Sequence, residues 1–270
     1  MGKRKILTEE QEKQIVYNYT VLKYGQKKSG AFIPVSDGIV KKVLKKYNIP
    51  IKTIQETNVN KYYVNHDFFK NQSSDMAYWI GMLASDGSVN KSENQIYIEL
   101  QRSDKELLEK MNKVIENQRP VADYVTGRGY ENSKLYFYSK EIKKDLASFG
   151  IVPNKTYSED YVFPYKLQKK YYADYIRGLF DGDGSVKLTN NTPTFQIDIG
   201  RMEIAKNIID FFKEQEISLE MSFLPKKNVT LYRVYGYTKK KLLKIYNLLY
   251  STESELYLKR KKDKFEELIF

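Results

Sequence analysis

The chain of 270 residues has no cysteine, one histidine (His66), one tryptophan and seven prolines. Without cysteine there are no disulfides, no thiolate zinc sites and no thiol nucleophile, and a reducing compartment is the natural setting. A single histidine leaves no room for a histidine triad or a His-rich metal cluster; a solvent-facing loop is the expected place for His66. No apolar run of about 18 residues and no signal-peptide pattern occurs, so no membrane partner and a cytoplasmic location are expected. Apolar residues (41%) and charged residues (30%) are in globular proportion.

Positive charge and tyrosine are abundant. Lys and Arg number 46 against 34 Asp and Glu, net +12, with 24 tyrosines. Residues 1–70 hold 14 of the basic and 6 of the acidic side chains, a local net charge of +8. Such an excess suits a polyanion.

One stretch occurs twice: Tyr78-Trp79-Ile80-Gly81-Met82-Leu83-Ala84-Ser85-Asp86-Gly87-Ser88-Val89, and 97 residues later Tyr175-Ile176-Arg177-Gly178-Leu179-Phe180-Asp181-Gly182-Asp183-Gly184-Ser185-Val186. A repeat of this kind marks a duplicated small domain. Ala77, Gly81 and Ser85, like Asp174, Gly178 and Gly182, are four apart and share a helix face. Glycine inside a helix costs about 1 kcal/mol against alanine, so a packing reason is expected. That reason is close contact between the two helices through Gly81, Ser85, Gly178 and Gly182. Gly87 and Gly184 suit a left-handed helix-ending position, which puts Asp86 and Asp183 at helix C-termini. Two carboxylates there oppose the helix dipoles and, if the helices pair, each other. A bound hard cation relieves both conflicts. An EF-hand reading of Asp181-Gly182-Asp183 fails, since Val186 and Thr192 stand where that loop needs Gly and Glu.

The rest of the chain arranges itself around the repeat. Thr8-Glu9-Glu10-Gln11 is a capping box opening a helix with Ile15, Tyr19 and Leu22 inward. Lys23 to Gly30 reads as a loop. Ser36 caps a helix from Asp37 to Tyr47 with Ile39, Val40, Val43 and Leu44 inward and Lys41, Lys42, Lys45 and Lys46 outward. Asn58 to Gln72 is a polar connector, anchored by Tyr62, Tyr63, Phe68 and Phe69. Ser73 or Ser74 caps the first motif helix. Asn94 to Gln101 alternates as a half-buried strand, Ile96, Ile98 and Leu100 inward. A helix from Asp104 to Glu116, a hairpin about Gly127-Arg128-Gly129, a return strand through Leu135-Tyr136-Phe137-Tyr138 and a helix from Lys140 to Phe149 follow. The second half repeats the order: motif helix within Pro164 to Asp183, strand Thr194 to Ile199, helix Glu203 to Glu214, strand Leu231 to Tyr235, helix Lys239 to Tyr250. Leu258-Lys259-Arg260-Lys261 precedes a last helix. The expectation is an α+β fold of two pseudo-symmetric αββαββα halves, residues 61–163 and 164–270, after a small helical domain, residues 1–60.

Both copies resemble the motif of the LAGLIDADG homing endonucleases, Trp79 to Gly87 and Ile176 to Gly184 aligning with its nine positions. The resemblance covers residues 62–270. It implies a two-motif, monomeric, sequence-specific DNA endonuclease associated with mobile genetic elements. The two sheets would form a saddle on double-stranded DNA, and Mg2+ (or Mn2+) would serve double-strand hydrolysis. Asp86 and Asp183 match the metal-binding acid, with the backbone carbonyls of Ser85 and Gly182 as further ligands. The sixth motif position, often Asp, is Asp181 in one copy and Ala84 in the other. Aligning the halves pairs Asp104 with Glu203, either as water-ordering groups or as a helix cap and a first-turn acid. Lys155 and Lys259 match a family lysine that contacts the water network or stabilises charge, although Lys259 sits in a run of four basic residues, so the register there is open by two or three positions and solvated surface is the alternative. Outward strand positions would read bases: Tyr97, Glu99, Gln101, Arg102, Lys187, Gln196, Asp198 and Arg201. Val35-Ser36 through Ile49 resembles a helix-turn-helix recognition helix, with Ser36, Lys41 and Lys42 toward DNA; a basic bundle that only packs is the alternative. An inactive DNA-binding regulator and an RNA-binding splicing helper are the competing functions.

Overall fold

The structure, a computed structural model, describes residues 7–22, 24–33, 35–51, 62–225 and 230–270. The expected domain boundary at residues 60 and 61, the start of the Asn58–Gln72 connector, and Lys23 lie outside the described residues. The chain forms two compact units, residues 1–61 and 62–270.

The first unit has three helices among its described residues: α1 (Glu9–Thr20), α2 (Gln26–Ser29) and α3 (Asp37–Lys46). Both bonds of the Thr8–Gln11 capping box are made. Ile15, Tyr19, Val40, Val43 and Leu44 form the core. Three expectations need correction. The stretch read as a loop contains α2, whose Ser29 hydroxyl donates to Gly25 O at 3.0 Å and thereby holds a short helical turn. Leu22 lies past the end of α1 and is 43% exposed. Ser36 occupies the N-cap of α3 but its side chain makes no capping bond.

In the second unit the order αββαββα appears twice. The first half runs α4 (Ser74–Ser85), β1 (Gly87–Val89), β2 (Gln95–Gln101), α5 (Lys105–Val114), β3 (Ala122–Val125), β4 (Glu131–Tyr138) and α6 (Lys140–Ala147). The second runs α7 (Tyr172–Asp183), β5 (Gly184–Thr189), β6 (Thr192–Ile199), α8 (Met202–Glu214), β7 (Glu220–Pro225), β8 (Thr230–Tyr237) and α9 (Lys239–Tyr250), followed by α10 (Lys259–Ile269). Each half holds a four-stranded antiparallel sheet, ordered β1-β2-β4-β3 and β5-β6-β8-β7. Alternation along β2 and β6 buries Ile96, Ile98, Phe195 and Ile197 against the helices and leaves the other face open, as a one-sided sheet requires. One core runs through both halves.

Ser73 caps α4 by accepting from Met76 N at 3.1 Å. The basic run expected before the last helix lies inside it, since α10 begins at Lys259. Lys261, Phe265 and Ile269 are four apart and share its buried face. Gly87 and Gly184 are not left-handed; positive-φ glycines are Gly129 and Gly150. Each motif glycine instead opens a strand pressed on its own helix: a Cβ at Gly87 would lie 2.5 Å from Leu83 Cα, and one at Gly184 2.6 Å from Phe180 O. Sterics, not backbone torsion, exclude a side chain there. His66 lies in a turn with its side chain 39% exposed, its Nδ1 2.7 Å from Ser139 Oγ. Among the described residues no helix is long and apolar enough to cross a membrane.

Candidate active site at the paired helix ends

Helices α4 and α7 meet backbone to backbone. A Cβ on Gly81 would collide with Tyr175 O and come within 2.8 Å of Gly178 Cα. One on Gly178 would collide with Tyr78 O and come within 2.9 Å of Gly81 Cα. A Cβ on Gly182 would collide with the Ser85 side chain and stand 3.1 Å from Asp86 Oδ2. The four small residues of the interface thus set the helix separation, and the Asp86 carboxylate lies across the seam from Gly182.

Asp86 closes α4 and Asp183 ends α7. Neither carboxylate accepts a hydrogen bond from a described residue, and each keeps an open face to solvent. Packed protein on their other sides raises both pKa values; that of Asp183 is pushed up to about 6, first by desolvation and then by the charge of Asp86. Two unbonded carboxylates that repel each other at the tips of paired helices are a donor set suited to a hard cation. No third Asp, Glu or His joins them among the described residues. A cation would therefore draw on these two carboxylates, main-chain carbonyls and water.

Two lysines flank the carboxylates. Lys155 donates to Gly87 O, and its charge reaches both Asp86 and Asp183. Lys261, not Lys259, takes the corresponding place beside α7: it is 8% exposed and its Nζ donates to Phe180 O at 2.8 Å and Gly182 O at 2.9 Å. Burial lowers both ammonium pKa values, that of Lys261 to about 8. Lys259 lies at the surface in an ion pair with Asp263. The reason is helical geometry: once the basic run is helical, one lysine in it shares the inward face of Phe265. The Gly182 carbonyl, expected as a metal ligand, accepts one hydrogen bond from Lys261 and keeps its second lone pair.

The second-tier acids behave unequally. Asp104 makes no capping bond to α5. It is 7% exposed, and Arg260 Nε lies 3.1 Å from its Oδ1 and 3.0 Å from its Oδ2. Glu203, in the first turn of α8, accepts from Tyr165 Oη, and Asn207 Nδ2 donates to the same Tyr165 oxygen at 3.0 Å. Asp181 is fully enclosed: Tyr78 Oη and Leu258 N each donate to its Oδ2 at 2.7 Å, and burial raises its pKa to about 6. It buttresses the helix pair from inside and does not join the carboxylates at the tips.

On the open sheet faces, Tyr97, Glu99 and Gln101 project from β2 and Gln196 and Asp198 from β6. Glu99 pairs with Lys134 at 2.8 Å and Asp198 with Arg233 at 2.7 Å, each directly across the strand pair. Lys134 also stands 3.7 Å over the Tyr97 ring. Arg102 pairs with Asp123 and Glu131, both at 3.5 Å. Arg201 donates to Glu159 O at 3.3 Å. Lys187, Gln196, Arg233 and Tyr235 line an open groove of about 460 Å³ on the second sheet. Ser36, Lys41 and Lys42 are exposed on the first unit. Lys134, Arg233 and Arg260 escaped sequence reasoning, whereas Lys261 falls within the register left open at Lys259. The first two were findable, because the register that aligns Glu99 with Asp198 also aligns Lys134 with Arg233.

Residues 73–149 match the LAGLIDADG-like domain family, and residues 172–263 match the WhiA LAGLIDADG-like domain family. An uncharacterized protein of Methanocaldococcus jannaschii is 26% identical over 193 residues, 70% of this chain and 71% of that protein. The DNA-directed RNA polymerase subunit Rpo1C of the same organism is 28% identical over 114 residues, 42% of this chain and 13% of the subunit. Among solved structures, the N-terminal LAGLIDADG domain of DUF199/WhiA has a TM-score of 0.45 at 14% identity, covering 70% of this chain and 91% of that one. The homing endonuclease I-DmoI in complex with DNA and Ca has a TM-score of 0.48 at 12% identity, covering 75% and 99%. From residue 73 to residue 263 this chain therefore has the LAGLIDADG fold, built from two LAGLIDADG-like domains in tandem.

Proposed function

We propose that this protein is a sequence-specific DNA endonuclease that hydrolyses both strands of a duplex with the help of a divalent cation. The observation that carries the reading is the pair of mutually repelling, hydrogen-bond-free carboxylates, Asp86 and Asp183, at the tips of α4 and α7. A magnesium-type cation held there would supply charge relief to a scissile phosphate and an activated water. Asp86 and Asp183 would hold such cations, one acid for each strand. The Lys155 and Lys261 ammoniums balance their charge and that of the incoming phosphate. Glu203 orients water at the edge of the site, and Asp104 orients a guanidinium. The open sheet faces, with Gln101, Gln196, Glu99–Lys134 and Asp198–Arg233, present the donors and acceptors that base edges in the major groove require. The first unit, with exposed Lys41 and Lys42 on α3, adds phosphate contacts of the helix-turn-helix kind, and a monomer suffices because both acids lie on one chain.

Cleavage-site selection on a random duplex library, with and without magnesium, tests the reading. Discrete double-strand breaks that require the cation are expected. A second reading, a DNA-binding regulator without nuclease activity, is favoured by the match of residues 172–263 to the WhiA-type domain; selective binding with no cleavage in magnesium or manganese establishes it instead. Deleting residues 1–60 should leave the cut positions unchanged while reducing the log–log salt slope of binding by about 0.9 for each phosphate that the protein no longer touches.

A further inference from the structure

The two halves treat the acid at the start of their second helix differently. Asp104 is almost fully buried and grips Arg260, a residue 156 positions later in the first turn of α10. Glu203 instead accepts from a neutral tyrosine, Tyr165. The residue preceding Lys155 is Asn154, short and neutral, whereas the residue preceding Lys261 is Arg260. Arg201 is turned to Glu159 O. Among the described residues, Glu203 holds no guanidinium as Asp104 holds Arg260.

The hold on Arg260 is one-sided. Its Nε lies between the two Asp104 oxygens, and neither Nη1 nor Nη2 bonds to a described residue. The side chain is 54% exposed. The Nε edge of the plane is thus fixed on a buried carboxylate while the Nη edge faces solvent. A guanidinium is permanently charged, weakly hydrated and matched in shape to phosphate oxygens, and one whose plane is already fixed loses little freedom on binding. Its position beside the motif helices is also lopsided: Arg260 and Asp104 are among the strongest charges acting on Asp86, whereas the strongest acting on Asp183 are Asp86, Lys155, Lys261 and Asp198.

We propose that Arg260, oriented by Asp104, contacts the scissile phosphate on the strand served by Asp86 and that the two strands are consequently cut at unequal rates. The inference rests on the endonuclease reading. Arg260 touches the substrate and so is a catalytic residue; Asp104 is a positioning residue acting through it.

The test uses the full chain and a duplex recovered by site selection, labelled separately on each strand. R260Q should slow one strand by about tenfold or more, the size expected when a charge-assisted hydrogen bond to the phosphate is removed, and the other by less than about threefold. Nicked circles then accumulate from a supercoiled plasmid. R260K, which keeps the charge without the fork, should fall between wild type and R260Q. D104N should slow the same strand by a smaller factor. Equal loss on both strands, or no loss on either, overturns the proposal, with matched melting temperatures showing that R260Q is folded and R260K deciding if it is not. If the wild-type protein binds DNA without cutting it, the endonuclease reading has failed, and with it the inequality of strands. The phosphate contact is then read from binding, where R260Q should reduce the salt slope by about 0.9, and an unchanged slope overturns it.

Discussion

The two halves share a chain, a topology and a register, yet diverge in the side chains packed around their common acids. Asp86 and Asp183 are kept, as are the glycines that let α4 and α7 touch. At the sixth motif position the first half has Ala84, whose carbonyl accepts from Tyr161 Oη at 3.2 Å, and the second has Asp181, buried under Tyr78 and Leu258 N. The first half draws its lysine from a 3-10 turn, Lys155–Tyr157, and the second from α10. What stays equal is what the proposed cleavage of two strands would need twice. What differs is local: a buried buttress, Asp181, inside the seam, a guanidinium, Arg260, held by Asp104 on one side only, and different ion pairs on the two open sheet faces.

The largest effects should come from breaking what the halves share. Asp86→Asn or Asp183→Asn removes half of the paired carboxylate set while preserving shape. Double-strand cutting should fall by roughly 10³-fold, as expected when several kcal/mol of charge relief are lost, while DNA affinity stays within a few-fold. Cleavage kinetics and gel-shift titration on the same duplex decide it; normal cutting by either variant removes the acid from the mechanism. Gly178→Leu should act through the seam itself. Its side chain would have to displace the Tyr78 carbonyl, so a stability loss of about 3 kcal/mol or more is expected. Denaturant unfolding measures it, and a fully stable variant would mean that the helices can separate without cost.

An intermediate effect should distinguish the two sixth positions by pH. The folded-state pKa of Asp181, raised to about 6 by burial, exceeds its ordinary value of 3.8. The folded chain thus binds this proton more tightly than the unfolded chain. The corresponding stability is complete below about pH 4 and is lost as pH rises through about 6. Asp181→Asn should flatten that decline by about 2 kcal/mol between pH 4 and pH 7, read from urea midpoints; an unchanged slope would show that Asp181 is not the group responsible. Asp183 titrates in the same window, and the difference between variant and wild type isolates the buried residue from it.

The smallest effects concern the reading faces. Glu99–Lys134 and Asp198–Arg233 are partly exposed pairs, so breaking either should change stability by less than about 1 kcal/mol. Their effect on recognition should differ. Arg233 offers a fixed fork to a guanine edge, and Arg233→Gln should relax preference at one base pair by about tenfold. Lys134→Gln, which removes a point charge above the Tyr97 ring, should weaken all sequences alike. Selection profiles for the two variants sharpen the contrast, and equal relaxation at matched positions would show that the sheets read alike.

The amino-acid sequence by itself determined the parts that depend on neighbours in the chain. Helix faces, alternating strands, the Thr8–Gln11 capping box and the duplicated order follow from periods of four and two and from short-range bonds. So does the seam, because two glycines inside apolar helices at matched positions have little other use. Only the tertiary structure decided which residue of the basic run 259–262 turns inward, since helical phase was needed to set Lys261 behind Phe180 and Gly182. Likewise only the assembled fold brought Arg260 to Asp104, 156 residues apart, and Leu258 N to Asp181, 77 apart. Periodicity tells which side of an element faces the core. It carries no information about what waits across the gap, because that depends on how separate elements pack, and there the two halves became unequal.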